Sequence, residues 1–115
     1  MGDLVRLCDT AGLESGDIRQ AELPGGHRLA VYNVDGEFHV TDDLCTHGQS
    51  SLSEEGMLNG RIVECGWHFG AFDVTTGEAI QMPCREPLKT WPVTVIGDSV
   101  YIDAVYIDSG GAASP

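Results

Sequence analysis

The sequence predicts an all-β domain of short antiparallel strands, a small sandwich or barrel with one loop-rich part, and three observations predict it. Stretches rich in β-branched and apolar residues are brief, two-residue turn signals separate several of them, and no stretch keeps a helical period beyond about two turns. Glycine (15) and proline (five) recur along the whole length of 115 residues, as frequent chain reversals require.

Taken in order, residues 4–8 and 18–23 read as strands on either side of a glycine-containing turn at 11–17. Residues 27–34 and 37–41 flank Asp35-Gly36, a two-residue hairpin signal in which glycine supplies a positive φ. Residues 61–64 follow Asn59-Gly60, the same signal again. Residues 69–74 lead through Thr75-Thr76-Gly77 into a less regular segment. Residues 89–96 and 99–107 form a final hairpin across Gly97-Asp98, and Pro92 inside its first strand calls for an edge or a bulge because proline has no N–H to donate. Between the strands, residues 42–64 form an interruption of loops. No internal repeat or interdomain linker divides the chain, so one domain is expected over 1–108, with a mobile tail at 109–115.

At 42% apolar content, a chain of 115 residues can bury a core of its own. Six basic residues against 18 acidic ones leave a formal charge of −12, which repels phosphate backbones and anionic lipid. Nucleic acid and membrane surfaces are therefore not expected as partners. The same charge fits either a well-solvated surface or transient docking on basic partners. No apolar run approaches the roughly 18 residues of a membrane span, and the first residues carry neither a basic leader nor an apolar signal core. The expected location is the cytoplasm, where four cysteines are better used for metal than for disulfides.

The chemistry concentrates in Cys45-Thr46-His47 and Cys65-Gly66-Trp67-His68, with 17 residues between His47 and Cys65. Each pair offers a soft thiolate and a borderline imidazole, and Gly48, Gly66 and Gly70 beside them let short loops turn. Two Cys and two His also satisfy tetrahedral zinc, although zinc fingers usually leave about two to four residues between paired ligands. A chance grouping of buried thiols and surface histidines is the third reading, disfavoured by two ordered pairs within 24 residues. The known iron–sulfur type with two cysteines and two histidines weighs towards iron. Cys8 and Cys84 are expected to be buried thiols, His27 and His39 surface or core-edge residues, and Trp91 core. Trp67 is expected to cover the metal or meet a partner, and Ser50 and Gln49 are candidates for lining the tip.

At these residues the chain resembles the Rieske [2Fe–2S] family, whose pattern is Cys-x-His, an interval, and Cys-x-x-His. The likeness extends to Asp43-Leu44, Leu52-Ser53-Glu54 and Gly56, to Phe72-Asp73 with Thr76-Gly77, and to Pro83 and Pro87-Leu88 at the family's proline-containing loop. Over about residues 4–107 it is similar to the ferredoxins of bacterial aromatic ring-hydroxylating dioxygenase systems, such as those serving biphenyl and carbazole dioxygenases. It departs from the commonest second motif, which has proline and glycine where this chain has Gly66 and Phe69.

The resemblance implies one [2Fe–2S] cluster held by a part spanning about 43–88, with Cys45 and Cys65 on one iron and His47 and His68 on the other, the histidines facing solvent. It implies a one-electron carrier between an NAD(P)H-dependent flavin reductase and a terminal aromatic-ring dioxygenase. No constellation supports catalysis by the chain alone. The alternatives are a Rieske subunit of another oxidoreductase complex and a zinc-stabilised interaction module. High-potential members have two further cysteines where this chain has Ser50 and Trp67, and cluster-directed hydroxyls where it has Gly70 and Phe72, so a low potential is implied.

Overall fold

The computed structural model describes residues 4–46, 50–66, 70–82 and 86–103, arranged as three antiparallel sheets. The outer sheet has the order β1-β11-β10, from Leu4–Asp9, Ser99–Asp103 and Val93–Ile96. The middle sheet, β2-β3-β4-β9, comprises Ile18–Glu22, Arg28–Val34, Glu37–Asp42 and Thr90–Trp91. The third, β5-β6-β7-β8, is built from Met57–Asn59, Ile62–Glu64, Ala71–Asp73 and Ala79–Gln81. A single-turn helix, α1 (Leu52–Glu55), precedes the third sheet.

Strand β3 organises the interior because residues 29–33 are all buried and successive side chains point to opposite faces. Leu29 and Val31 join Cys8, Leu13, Val40, Trp91, Val100 and Ile102 in a core between the outer and middle sheets. Ala30 and Tyr32 face the other way, into a second core with Leu52, Val63, Phe72, Val74, Leu88, Cys45 and Cys65. The middle sheet is thus covered on both faces, which accounts for a run of five buried residues in an antiparallel strand.

The expected hairpin at Asp35-Gly36 is present, with φ of 52° and 93° at the two turn residues and Val34 paired with Glu37. Positive φ at both central positions is the geometry whose twist matches the flanking strands. The hairpin across Gly97-Asp98 joins β10 to β11, with Ile96 paired to Ser99.

The single strand expected over 89–96 is instead two. Thr90–Trp91 pairs with β4 in the middle sheet, whereas Val93–Ile96 pairs with β11 in the outer sheet. Pro92 lies at the changeover, where the missing N–H ends one ladder and the chain bends into the next. The elements β5, β8 and α1 were not expected from the sequence. Helix α1 has a sequence signal all the same, because Ser51 and Glu54 stand at capping-box spacing and the Ser51 hydroxyl accepts the Glu54 N–H at 3.3 Å. The expected tail at 109–115 and the end of the last strand lie outside the described residues.

Candidate metal centre

Cys45 and Cys65, taken from different loops, meet in one buried core with exposures of 2% and 1%. Each begins a loop closed by the same contact. The N–H of Cys45 donates to the carbonyl of Ser50 at 3.0 Å, and that of Cys65 to the carbonyl of Gly70 at 2.7 Å. Each bond closes a six-residue loop, 45–50 and 65–70, of which a cysteine is the first residue. His47 and His68, the other two expected ligands, belong to these loops and lie outside the described residues, as do Gln49, Trp67 and Cys84.

The first loop is fastened from below by Asp43, whose side chain is fully buried. One carboxylate oxygen accepts the Ser53 N–H at 2.8 Å. The other accepts the Ser51 hydroxyl at 2.6 Å and the Gln20 amide at 3.2 Å. Its carbonyl accepts the Leu52 N–H at 2.7 Å, and Leu44 forms a bridge with Ser51. Ser50, a candidate for the tip, is buried, and its carbonyl serves loop closure.

The second loop is set by close packing against α1. A Cβ on Gly66 would lie 2.4 Å from the Glu55 carbonyl oxygen, well inside van der Waals contact. The departure from proline at this position is thereby explained: the end of α1 occupies the space a proline ring needs.

A third segment completes the surroundings. The Thr46 hydroxyl donates to the Glu86 carbonyl at 2.7 Å, and the Leu88 N–H donates to the Gly77 carbonyl at 2.7 Å. Leu88 itself packs in the core that holds both cysteines. Gly77, at φ 83°, sits where a Cβ would meet the Leu88 oxygen at 2.2 Å. The turn that presents Gly77 is built on Asp73, which is buried. One of its oxygens accepts the Thr75 N–H at 2.9 Å and the Thr75 hydroxyl at 2.6 Å, while the other meets Arg61 Nε at 3.1 Å. Burial alone would raise the Asp73 carboxyl, but the Thr75 hydrogen bonds and the Arg61 charge outweigh it and hold it below the ordinary carboxylate range.

Beneath the cysteines, the buried Tyr32 hydroxyl hydrogen-bonds Thr41 Oγ1 at 2.9 Å. Burial above all, and then the negative charges of Asp43, Asp42 and Cys45, push it far up, so it stays a neutral phenol. Cys8 lies in the other core, across the middle sheet from the paired thiols. There burial raises its thiol pKa against the opposing pull of Arg19, as befits a packing residue. His27, expected in a strand, instead precedes β3, where its Nε2 meets Asp42 at 2.9 Å. Trp91 is core as expected, and its indole N–H donates to the same Asp42 oxygen at 3.1 Å.

Two dry thiols at the mouths of two alike loops fit a group that takes soft donors from both sides, and the sequence supplies an imidazole two residues after Cys45 and three after Cys65. The relationships of the chain agree. Residues 3–92 match the Rieske [2Fe-2S] domain model. The chain is 55% identical over 101 residues, 88% of its own length and 86% of the relative's, to the ferredoxin component of the p-cumate 2,3-dioxygenase system of Pseudomonas putida. Its structure resembles the ferredoxin of Sphingomonas yanoikuyae B1 with a TM-score of 0.83 and 46% identity, over 88% of this chain and 98% of that one. It resembles a chain in the complex of reduced oxygenase and oxidized ferredoxin of carbazole 1,9a-dioxygenase with a TM-score of 0.81 and 41% identity, over 87% and 92%. On motif, fold and descent alike, the chain belongs to the Rieske [2Fe-2S] family and is an electron-transfer protein carrying one such cluster.

Proposed function

We propose that this chain carries single electrons from an NAD(P)H-dependent flavin reductase to a terminal aromatic-ring dioxygenase. Cys45 and Cys65 hold one iron of its cluster, and His47 and His68 hold the other. The observation that carries the reading is the convergence of Cys45 and Cys65 in one buried core, each opening a six-residue loop closed by its own N–H. When bound, the group supplies one-electron redox chemistry at a potential that imidazole ligation raises above that of all-cysteine clusters. The chain's own residues hold the thiols dry, fix the loops and keep the phenol of Tyr32 protonated beneath them.

The relatives support the dioxygenase setting, since the p-cumate protein is by name a ferredoxin component and the carbazole ferredoxin was solved with its oxygenase. This reading makes residues 1–108 one domain, with 43–88 as its cluster-binding part and 109–115 as a tail. It also places the chain in the cytoplasm, where NAD(P)H is available. Among the described residues no helix is long and apolar enough to cross a membrane.

Metal analysis with visible and EPR spectra of the purified protein tests the site. Iron and acid-labile sulfide in equal amounts, with a Rieske-type reduced spectrum, are expected; a colourless zinc protein overturns the assignment. Reduction by NAD(P)H through a flavin reductase, followed by reoxidation with a dioxygenase, tests the partners.

A further inference from the structure

Two carboxylates are buried among the described residues, Asp73 at 5% exposure and Asp43 at 0%, and they differ in their partners. Asp73 has Arg61 beside it, whereas among the described residues no cation pairs with Asp43. Every hydrogen-bond partner of the Asp43 carboxylate donates to it. The Ser53 N–H and the Gln20 amide are donors only. The Ser51 hydroxyl, which accepts the Glu54 N–H and lies 3.1 Å from Ser53 Oγ, makes its shortest contact, 2.6 Å, as a donor to Asp43. Three donors and no acceptor are the environment of an ionised carboxylate.

This carboxylate lies two residues before Cys45, and the segment it holds, 51–53, is the one that closes the first loop. Ser51, whose hydroxyl donates to this carboxylate, bridges Leu44 and follows the Ser50 carbonyl that accepts the Cys45 N–H, so the charge stands at the base of the first loop. Negative charge in a poorly solvated interior is weakly screened, and it opposes the arrival of another negative charge nearby. Net charge around an iron–sulfur site is one of the quantities that set its potential.

We propose that Asp43 is a positioning residue for the loop bearing Cys45 and His47, and that its buried charge lowers the reduction potential of the cluster. The proposal rests on the ligand assignment above. It departs from a merely structural role in requiring a shift of potential as well as a looser loop.

Two variants of the cluster-loaded protein separate these effects, with protein-film voltammetry and the rate of cluster loss to a chelator as readouts. Asp43→Asn preserves volume while removing the charge and reversing part of the hydrogen bonding. Its potential should rise, and it should lose its cluster several-fold faster. Gln20→Arg sets a cation against the same carboxylate from an exposed position in β2, already at hydrogen-bond distance. Its potential should also rise, and because arginine keeps an N–H donor against the carboxylate the cluster should be lost more slowly than from Asp43→Asn. Should Asp43→Asn fail to fold, Gln20→Arg alone decides the charge and Ser51→Ala decides the positioning, through faster cluster loss. Wild-type potential in Gln20→Arg together with wild-type potential in Asp43→Asn, or with wild-type cluster loss in Ser51→Ala, overturns the proposal. A wild-type protein without a Rieske spectrum is a different failure, that of the ligand assignment itself, and appears before any variant is measured.

Discussion

Replacing Gly77 with alanine perturbs the contact between the Asp73 turn and the segment 86–88 that is tied to Thr46 of the first loop. The added Cβ would stand 2.2 Å from the Leu88 carbonyl oxygen, 3.0 Å from Thr90 Cγ2 and 3.3 Å from the Leu88 carbonyl carbon. Two of these three atoms are backbone, so no rotamer change relieves the overlap; Leu88 must move by about 1 Å or the turn must reshape. Holding alanine at φ 83° costs about 1–2 kcal/mol. Displacing Leu88 sacrifices its 2.7 Å bond to the Gly77 carbonyl, worth about 1 kcal/mol. Disturbing the packing of a fully enclosed leucine adds about 1–3 kcal/mol. We expect a loss of roughly 3–6 kcal/mol, a large part of the stability of a domain this size. Urea unfolding followed by circular dichroism reads the loss as a midpoint lowered by roughly 1.5–3 M, at a slope of about 2 kcal/mol per molar. Visible absorbance in parallel should show cluster loss below the unfolding midpoint, because Leu88 borders the core that holds both cysteines. A loss under about 1 kcal/mol with normal cluster retention would falsify the packing argument.

Four further outcomes follow from the same geometry. Cys45→Ser and Cys65→Ser should abolish or gravely weaken visible absorption while Cys8→Ser retains it, since Cys8 packs in the other core; a coloured Cys45→Ala protein would refute the ligand assignment. Because the folded Asp73 carboxyl is depressed, its stabilisation is fully present above the unfolded value of about 3.9 and disappears as pH falls through the lower folded value. Asp73→Asn should therefore destabilise the protein at neutral pH and converge with wild type in strong acid, and parallel stability curves across that range would contradict it. The wild-type potential should lie near the low end of the Rieske range, about −150 mV, and Phe72→Tyr should raise it if the new hydroxyl reaches a sulfur; a wild-type value well above zero refutes the low-potential reading. Electron transfer to the oxygenase should slow with added salt, because screening contracts to about 8 Å near physiological ionic strength, and salt-independent kinetics would leave the −12 charge as a solubility device.

The parts of this fold that were legible in the sequence are those fixed by neighbours along the chain. Alternation and turn chemistry located β1 to β4, and Asp35-Gly36 set the register of β3 against β4. The segment 89–96 reads as one strand in the sequence because its composition is continuous. Only the positions of two separate sheets reveal that Pro92 divides it. Strands β5 and β8 have three residues each, too few for a period to show, and they exist because β6 and β7 give them edges to pair with. For the site, spacing within the Cys/His pairs was sufficient to choose candidates. The residues that support them were not legible, because Asp43, Gln20 and Ser51 or Gly77 and Leu88 become neighbours only through tertiary structure.

That dependence has a mechanical consequence for an electron carrier. Loop sequences as short as 45–50 and 65–70 have no intrinsic preference strong enough to hold a thiolate in place. Here each loop is tied at its base by a backbone bond from its own cysteine, and the first is also tied at Thr46 to the Glu86 carbonyl. None of these bonds involves a metal-ligating atom, so they do not depend on the charge of what the thiols hold. Support of this kind is what pre-organises a site whose charge must change by one electron. Strand β3 extends the support downward, since Ala30 and Tyr32 bear on the thiol core while Leu29 and Val31 anchor in the opposite one. The middle sheet, packed on both faces, therefore serves as the floor of the site.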